Sequence, residues 1–244
     1  MNTDAYTLLS CISPLSFNAV CQKIQRSIVR KKRLLLFPIN IHSLKLIWEQ
    51  DKGNVFQNAH ILFPDGTLIV WLLKHLHKET GGRVSGTDIV DCILRTPGIR
   101  IYLFGATKQT IHAIQKAYYN QTNARIVGYY CPSSHLIQRT HTLTRIERDI
   151  QKFHPDVLFV ALGQPKQEEW LAHNFPKLHV TIGMSVGSAL EILSGEKPRA
   201  PYFLRTHGFE WFWRVILEPK RLGLRYLSDC LFIVNQILRP SKLL

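Results

Sequence analysis

Short apolar runs rich in Leu, Ile, Val and Phe recur along this chain, and they limit its possible folds more than any other feature. Continuous runs of this length, bounded by turn residues, are typical of strands buried on both faces of a parallel sheet. They predict strands at 34–38, 60–63, 99–104, 156–161 and 178–182. Helical patterns separate the runs, so the sequence predicts a layered α/β fold with a mostly parallel sheet.

The predicted helices each have one apolar face. Apolar residues recur at helical spacing within 107–122, and the segments 140–153 and 165–174 show a similar but more polar pattern. A further stripe precedes the first predicted strand and ends at the basic run 30–33. It consists of Phe17, Val20, Cys21, Ile24 and Ile28.

The C-terminal part of the chain has a different character. Residues 198–244 lack strand alternation and combine basic with aromatic side chains, including Trp211 and Trp213. Pro219 is expected to start a second helix there, because proline is tolerated in the first helical turn. We interpret 1–197 as the α/β body and 198–244 as a helical appendage that associates with an anionic membrane surface. The alternative is ordinary core packing of the two tryptophans, with solvated arginines around them.

The overall charge indicates an anionic partner. Lys and Arg number 31 against 17 Asp and Glu, which gives a net charge of +14. Nucleic acid, diphosphates and acidic lipid all fit this excess. The five cysteines are scattered without a CxxC pair, which argues against a disulfide framework and fits a reducing compartment. There is no signal-peptide pattern and no apolar stretch near the ~20 residues that span a bilayer, so the sequence predicts a cytoplasmic protein.

Two polar stretches follow the second predicted strand. Asp65 lies in a Pro-Asp-Gly sequence, which would hold a carboxylate at the carboxyl edge of the sheet or form a plain turn. Arg83 follows two glycines and precedes a predicted helix. This stretch fits either a phosphate-binding loop or a capped helix start with Thr87 or Asp88 as the N-cap.

Two later stretches also follow predicted strands. Gly105 is a weak nucleotide-binding signal, because a single glycine is not a GxGxxG fingerprint. In 161–168, Gly-x-Pro precedes Lys166 and Gln167 at a predicted helix start, where a lysine is disfavoured unless an anion is near. No HExxH or Asp-x-Asp pattern occurs, so a metal site and metal-held diphosphate chemistry are not expected.

Taken in order, these stretches resemble the WecG/TagA/CpsF glycosyltransferases of bacterial surface-polymer synthesis. The likeness covers about 34–227. Its parts are Asn40, the Pro-Asp-Gly at 64–66, Arg83-Val-x-Gly-x-Asp, Ala-Leu-Gly-x-Pro-Lys-Gln-Glu at 161–168, Gly187 to Gly195, Arg199-Ala-Pro, Gly208-Phe-Glu-Trp211, Arg214, Glu218-Pro-Lys-Arg-Leu and Arg225-Tyr-Leu.

The resemblance implies a Rossmann-like body with helices on both faces of the sheet. It also implies inverting, metal-independent transfer from a UDP-sugar to a sugar carried on polyprenyl diphosphate, at the inner face of the cell membrane. The polymer would be an exopolysaccharide, an O-antigen or enterobacterial antigen, or a teichoic acid. Asp65 matches the suspected general base. Other matching positions are the diphosphate-facing Arg214, Arg221 and Arg225 and the pocket residues Asn40, Arg83, Gln167 and Glu191.

Three positions depart from the family pattern. Pro38 replaces a frequent threonine, Ser188 replaces a glycine, and Glu191 replaces an aspartate. Family members use different donors, including N-acetylmannosamine, its uronic acid and glucose, so the donor sugar does not follow from the resemblance.

Two other functions stay open at the level of sequence. A basic nucleic-acid-binding protein fits the charge, although no RRM, KH or zinc-finger pattern supports it and nucleic acid is not the expected partner. A catalytically silent family member in an assembly complex fits the departures. A homo-oligomer is compatible with each of these functions.

Overall fold

The computed structural model describes residues 5–122, 124–132 and 140–238. The remaining parts of the predicted body and appendage, 1–4, 123, 133–139 and 239–244, lie outside the described residues. The strands are β1 (Leu34–Ile39), β2 (Ile61–Pro64), β3 (Arg100–Phe104), β4 (Arg125–Tyr130), β5 (Val157–Val160) and β6 (Ile182–Ser185). They form one sheet in the order β2-β1-β6-β5-β3-β4, and every neighbouring pair is parallel.

Helices occupy most of the connections between the strands. They are α1 (Ala5–Cys11), α2 (Phe17–Val29), α3 (Ile41–Gln50), α4 (Gly53–Gln57), α5 (Thr67–His75), α6 (Gly86–Leu94), α7 (Lys108–Thr122), α8 (Thr140–Phe153), α9 (Lys166–Asn174), α10 (Ala189–Leu193), α11 (Tyr202–Thr206), α12 (Glu210–Leu217) and α13 (Pro219–Leu238). The predicted helices at 107–122, 140–153 and 165–174 are confirmed, as is a helix start at Pro219.

The two faces of the sheet carry separate hydrophobic cores. Leu34 and Leu36 of β1 pack in the core formed with α2, α6, α7 and α10. Leu35 and Phe37 alternate with them and pack in the core formed with α1, α3, α4, α5, α8 and α9. Because both faces are covered, the strands read as continuous apolar runs, and the predicted α/β, Rossmann-like architecture is confirmed.

Four of the five predicted strands are correct within one residue at each end, and the fifth is largely wrong. Strand β6 begins at Ile182, where it pairs with Leu34 and Val157. Leu178 and Val180, which suggested an earlier start, are buried beside α9 instead. The apolar residues at 178 and 180 therefore pack against a helix, and the strand that pairs in the sheet begins two residues later, at Ile182.

Strand β4 has no counterpart in the sequence prediction. It is the edge strand next to β3, and most of its residues are partly exposed, so it lacks a continuous apolar run. Its Gly128 lies against two rings: a Cβ there would be 2.7 Å from both Tyr102 and Phe153. A glycine in a strand commonly marks such a close approach.

The helices α11 to α13 dock on the body through both polar and aromatic contacts. Thr67 Oγ1 donates a hydrogen bond to the Gly208 carbonyl at 3.1 Å. The rings of Trp48 on α3 and Phe232 on α13 meet edge to face at 6.5 Å. The C-terminal helices thus cover α3 and the start of α5, next to the carboxyl ends of β1 and β2.

Candidate active site

Two adjoining cavities open at the carboxyl ends of the strands. The larger cavity has a volume of about 450 Å³, and the smaller cavity has a volume of about 90 Å³. Both are walled partly by α12 and α13. Open α/β sheets bind ligands at this edge. The larger cavity is lined from five strand ends, by Asn40 after β1, Asp65 after β2, Gly105 after β3, Ala161 after β5 and Val186 after β6.

Asp65 lies on the boundary between the cavities and lines both. Pro64 ends β2, and Gly66 has a φ of +123°, so the chain turns sharply there and starts α5 at Thr67. A Cβ at Gly86 would lie 3.3 Å from Asp65 Oδ2, so glycine lets the first turn of α6 approach the carboxylate. The Pro-Asp-Gly turn therefore holds a carboxylate at the sheet edge, as the first of its two interpretations predicted.

Burial raises the pKa of the Asp65 carboxyl above its ordinary value. Arg214 opposes this shift, Glu210 adds to it, and the Gly86 N–H and Arg83 lower the pKa by smaller amounts. A carboxylate with a raised pKa holds an abstracted proton more firmly, which suits a general base.

Glu210 connects two of the predicted arginines. Its Oε2 lies 2.8 Å from Arg83 Nη1, and its Oε1 lies 3.2 Å from Arg214 Nη2. Burial would raise the pKa of Glu210, but the two arginines outweigh it and hold that pKa below its ordinary value. Sequence reasoning assigned Glu210 no role, although its position four residues before Arg214 on one helix is the spacing of an ion pair.

The arginines of the C-terminal helices meet at the larger cavity without lying on one helix. Arg214 belongs to α12, whereas Arg221 and Arg225 belong to α13, and all three line the cavity. They meet at the cavity through the packing of α12 and α13 across the break before Pro219. Arg225 Nε is buried without a hydrogen-bond partner among the described residues, which leaves it available to a ligand.

A salt-bridge network joins the body to these helices across the larger cavity. Lys197 Nζ lies 2.7 Å from Glu191 Oε2 and 2.9 Å from Glu218 Oε1, and Glu218 also binds Arg221. The arginine and the lysine lower the pKa of Glu218 to about 2. Lys197 and Glu218 carry no local sequence signal for this pairing, because their partners are set by the fold.

Gln167 and Glu168 are buried at the start of α9. Gln167 lines the larger cavity, accepts a hydrogen bond from Gly187 N at 3.1 Å and donates one to Glu168 Oε1 at 2.8 Å. Burial raises the pKa of Glu168 to about 7. Lys166, by contrast, is exposed and lines neither cavity, so its predicted substrate contact is the one that the structure does not bring to the site.

Two further predicted residues have clear structural roles at the cavity wall. Asn40 is the N-cap of α3: its side chain accepts a hydrogen bond from Ser43 N at 3.0 Å while it lines both cavities. Gly105 has a φ of +104°, and a Cβ there would lie 2.7 Å from the Ala161 backbone. Glycine is therefore required for β3 and β5 to end side by side.

The second polar stretch contains a capped helix start, and Gly86 and Thr87 in its first turn line the larger cavity. The N-cap of α6 is Ser85, whose Oγ accepts from Asp88 N at 3.4 Å, so the predicted caps Thr87 and Asp88 are wrong. Ser85 has the extended backbone that an N-cap requires, and Asp88 instead pairs with Arg199. Gly81 packs against the backbone of 14–16 and lines neither cavity.

A family model described as the Glycosyl transferase WecG/TagA/CpsF family matches residues 6–242, nearly the whole chain. This protein belongs to the WecG/TagA/CpsF glycosyltransferase family. Proteins of Staphylococcus aureus strains NCTC 8325 / PS 47 and COL, each named N-acetylglucosaminyldiphosphoundecaprenol N-acetyl-beta-D-mannosaminyltransferase, are 30% identical to it over 176 residues. The match covers 69% of this chain and 66% of each relative.

For a WecG/TagA/CpsF protein, the location of the three departures is informative. Pro38, Ser188 and Glu191 all line the larger cavity, and none of them lines the smaller one. Pro38 is tolerated in β1 because the pairing of β1 with β6 ends at Leu36, two residues earlier. The sequence changes are therefore concentrated on one side of Asp65.

Two further observations concern metals and membranes. Within 5–122, 124–132 and 140–238, no group of three or more His, Cys, Asp or Glu side chains is placed to hold a metal ion. None of the helices in the described part of the chain combines the length and the apolar character needed to span a bilayer.

Proposed function

We propose that this protein transfers a sugar from a UDP-sugar, bound in the larger cavity, to a sugar carried on polyprenyl diphosphate, bound in the smaller cavity. The observation that carries this proposal is the position of Asp65 on the boundary of the two cavities, with arginines beside it. The choice of a polyprenyl-diphosphate-linked acceptor follows the name of the Staphylococcus relatives.

The larger cavity suits a nucleotide diphosphate. Its strand ends include Gly105, Gly163 and Gly187, which let a ligand approach the backbone closely. Arg221 and Arg225 line the same cavity and supply the positive charge that phosphate oxygens require. The smaller cavity is lined by Trp211 and Tyr226 together with carboxylates, a mixture of ring faces and hydrogen-bonding groups that suits a sugar.

The proposed step is a single displacement. Asp65 removes the proton from an acceptor hydroxyl while the hydroxyl oxygen forms a bond to the anomeric carbon of the donor. The bond from that carbon to the β-phosphate oxygen breaks on the opposite side, so UDP leaves with the electron pair and the configuration inverts. Positioned arginines stabilise the charge that develops on the phosphate. Proton transfer to Asp65 increases the rate about 10²–10⁴-fold. We propose that no metal ion takes part.

We also propose that the protein acts as a peripheral protein on the inner face of the membrane. Leu224, Leu227, Leu231 and Val234 form one exposed apolar stripe along α13, and each side chain is more than half exposed. Their spacing of three, four and three residues places them on one helix face. The exposed Lys220, four residues before Leu224, lies at the start of this stripe and suits an anionic lipid surface.

The experiment is release of UDP by the purified protein with paired UDP-sugars and short-chain polyprenyl-diphosphate sugars. The donor panel includes the UDP derivatives of N-acetylmannosamine, its uronic acid and glucose, because the three departures from the family pattern line the larger cavity. We expect acceptor-dependent release that persists in EDTA and falls about 10²–10⁴-fold in Asp65→Asn. The exposed Asp51→Asn is the matched control. No release with any pair, or full activity in Asp65→Asn, would contradict the proposal.

The rival nucleic-acid-binding function has less support from the fold than from the charge. In the basic run 30–33, Lys31 pairs with Asp156 at 2.7 Å, and Arg33 donates to the Phe175 and Pro176 carbonyls. Half of the run is thus engaged within the protein. Tight binding of short nucleic acids that weakens steeply with salt, without UDP release, would favour the rival.

A further inference from the structure

His42 and Asp229 form a pair at the wall of the smaller cavity. His42 Nδ1 lies 3.1 Å from Asp229 Oδ1, and both residues line this cavity together with Asp65. His42 is on α3 of the body, and Asp229 is on α13. Neither residue is part of the sequence motifs that identify the family.

The environment of Asp229 makes His42 its principal partner. Asp229 is only 3% exposed, and a buried carboxylate is costly unless it is paired and hydrogen-bonded. The nearest guanidinium nitrogen, Arg225 Nε, lies 3.9 Å from Asp229 Oδ2, beyond hydrogen-bond distance. The imidazole N–H is therefore the group that satisfies the carboxylate.

The pair is the cavity end of a longer contact between the two helices. Lys45 and Trp48 continue the same face of α3 and contact Ser228 and Phe232 of α13. These contacts dock α13 without reaching either cavity, because neither Lys45 nor Trp48 lines one. His42 differs from them because it both binds α13 through its ring and lines the smaller cavity.

We propose that His42, oriented by Asp229, binds a hydroxyl group of the acceptor sugar in the smaller cavity. This inference rests on the proposed function. With Nδ1–H donated to Asp229, the ring orientation is fixed, and Nε2 is the atom left to hydrogen-bond a ligand hydroxyl, which can both donate and accept. A carboxylate behind a histidine fixes its tautomer and ring orientation in this way at many sites. His42 is thus a substrate-binding residue, and Asp229 is a positioning residue that acts through it.

The test measures KM for each substrate separately in the full-length protein. Loss of one hydrogen bond to a hydroxyl is expected to raise the acceptor KM of His42→Ala about 3- to 10-fold, while the donor KM stays within twofold. His42→Gln keeps an acceptor atom near the Nε2 position and should restore part of the loss. The exposed His112→Ala on α7 is the control.

A double-mutant cycle tests the role of Asp229. If Asp229 acts through His42, Asp229→Asn raises the acceptor KM in the wild type but adds little to His42→Ala. Thermal unfolding of each variant separates this role from docking. Equal rises in both KM values with a lower Tm, or an unchanged acceptor KM in His42→Ala, would overturn the inference. If the wild type itself releases no UDP, the proposed function fails instead.

Discussion

Asp65 and Glu210 are two carboxyl groups in one site whose pKa values shift in opposite directions. Burial raises the pKa of Asp65, whereas Arg214 and Arg83 hold the pKa of Glu210 low. Paired carboxyl groups with separated pKa values commonly divide acid–base and electrostatic roles between them. Here Asp65 is suited to exchange a proton, and Glu210 is suited to remain charged and to orient the two arginines.

Neutralising Glu210 tests this division. Glu210→Gln removes a negative charge that raises the pKa of Asp65. Arg83 and Arg214 keep their positive charges, which lower that pKa. Asp65 should then ionise at a lower pH, so the acidic limb of the kcat/KM profile should move to lower pH. A pH–rate profile of the two proteins checks this, and an unmoved or raised limb would contradict it.

Glu168 provides a test of stability rather than of rate. Its pKa of about 7 in the folded protein exceeds the ordinary glutamate value, so folding favours the protonated form. Its contribution is fully present below about pH 4.5 and is lost as the pH rises through 7, by roughly 3 kcal/mol. In Glu168→Gln this loss should disappear. Denaturant unfolding at pH 5, 6, 7 and 8 would show parallel curves for the two proteins if the prediction is wrong.

Residues were predictable from sequence where a local pattern fixes their position. Asp65 follows a strand and precedes a glycine with positive φ, so its place at the sheet edge could be read from neighbouring residues. Lys197 pairs with Glu218, and His42 pairs with Asp229 across 187 positions. Such partners are chosen by tertiary packing, and no local pattern indicates them.

At the scale of elements, the docking of α12 depends on one tight contact. Gly208 has a φ of +82°, and a Cβ there would lie 2.3 Å from Thr67 Oγ1. Both the backbone conformation and the space therefore require glycine. This contact holds the start of α12, and with it Glu210 and Arg214, over the end of β2.

Substitution of Gly208 should disturb the docking of α12 while the α/β body still folds. Gly208→Ala should reduce transfer at least about tenfold and speed proteolysis near α12, because a non-glycine residue is strained at positive φ and collides with Thr67. Gly223→Ala is the matched control, since it lies within α13 with open space around it. Alanine in a helix should leave that variant as stable or more stable. Equal behaviour of the two variants would contradict the prediction.

Strand prediction succeeded where the buried residues form an unbroken apolar run. The strands β1, β2, β3 and β5 are almost wholly buried, and each reads as an unbroken apolar run. The edge strand β4 has exposed positions and a glycine between two rings, so its run is interrupted. Strand β6 is wholly buried, but Gly183 and Ser185 interrupt its apolar run, and Gly183 packs against Phe175 and Leu35.

At the scale of the whole molecule, the apolar stripe on α13 and the cavities lie on the same C-terminal helices. A lipid-carried acceptor would reach the smaller cavity most directly if this stripe rested on the membrane. In such a contact, apolar burial would supply affinity, and the exposed Lys220 at the start of the stripe would add attraction to anionic lipid.

Vesicle binding tests this arrangement. Leu224→Glu with Leu231→Glu places two charges on the stripe, where Leu224 is 76% exposed, so folding should be unaffected and binding to anionic vesicles should fall at least about tenfold. Val29→Glu is the control, because Val29 is 83% exposed at the end of α2 and is remote from the stripe in sequence. Flotation with anionic and neutral vesicles measures the change. Equal binding by the double variant would place the membrane contact elsewhere.

The sheet order has a consequence for the synthesis of this protein. Strand β1 is completed by β6, where Leu34 pairs with Ile182, and the smaller cavity is completed by α13. These contacts are among the most distant along the chain, and such contacts form late during folding. A nascent chain that ends before α13 has neither a closed cavity nor Arg221 and Arg225. If the proposed function is correct, transfer requires α13 to have left the ribosome, and a prematurely terminated product is expected to release no UDP.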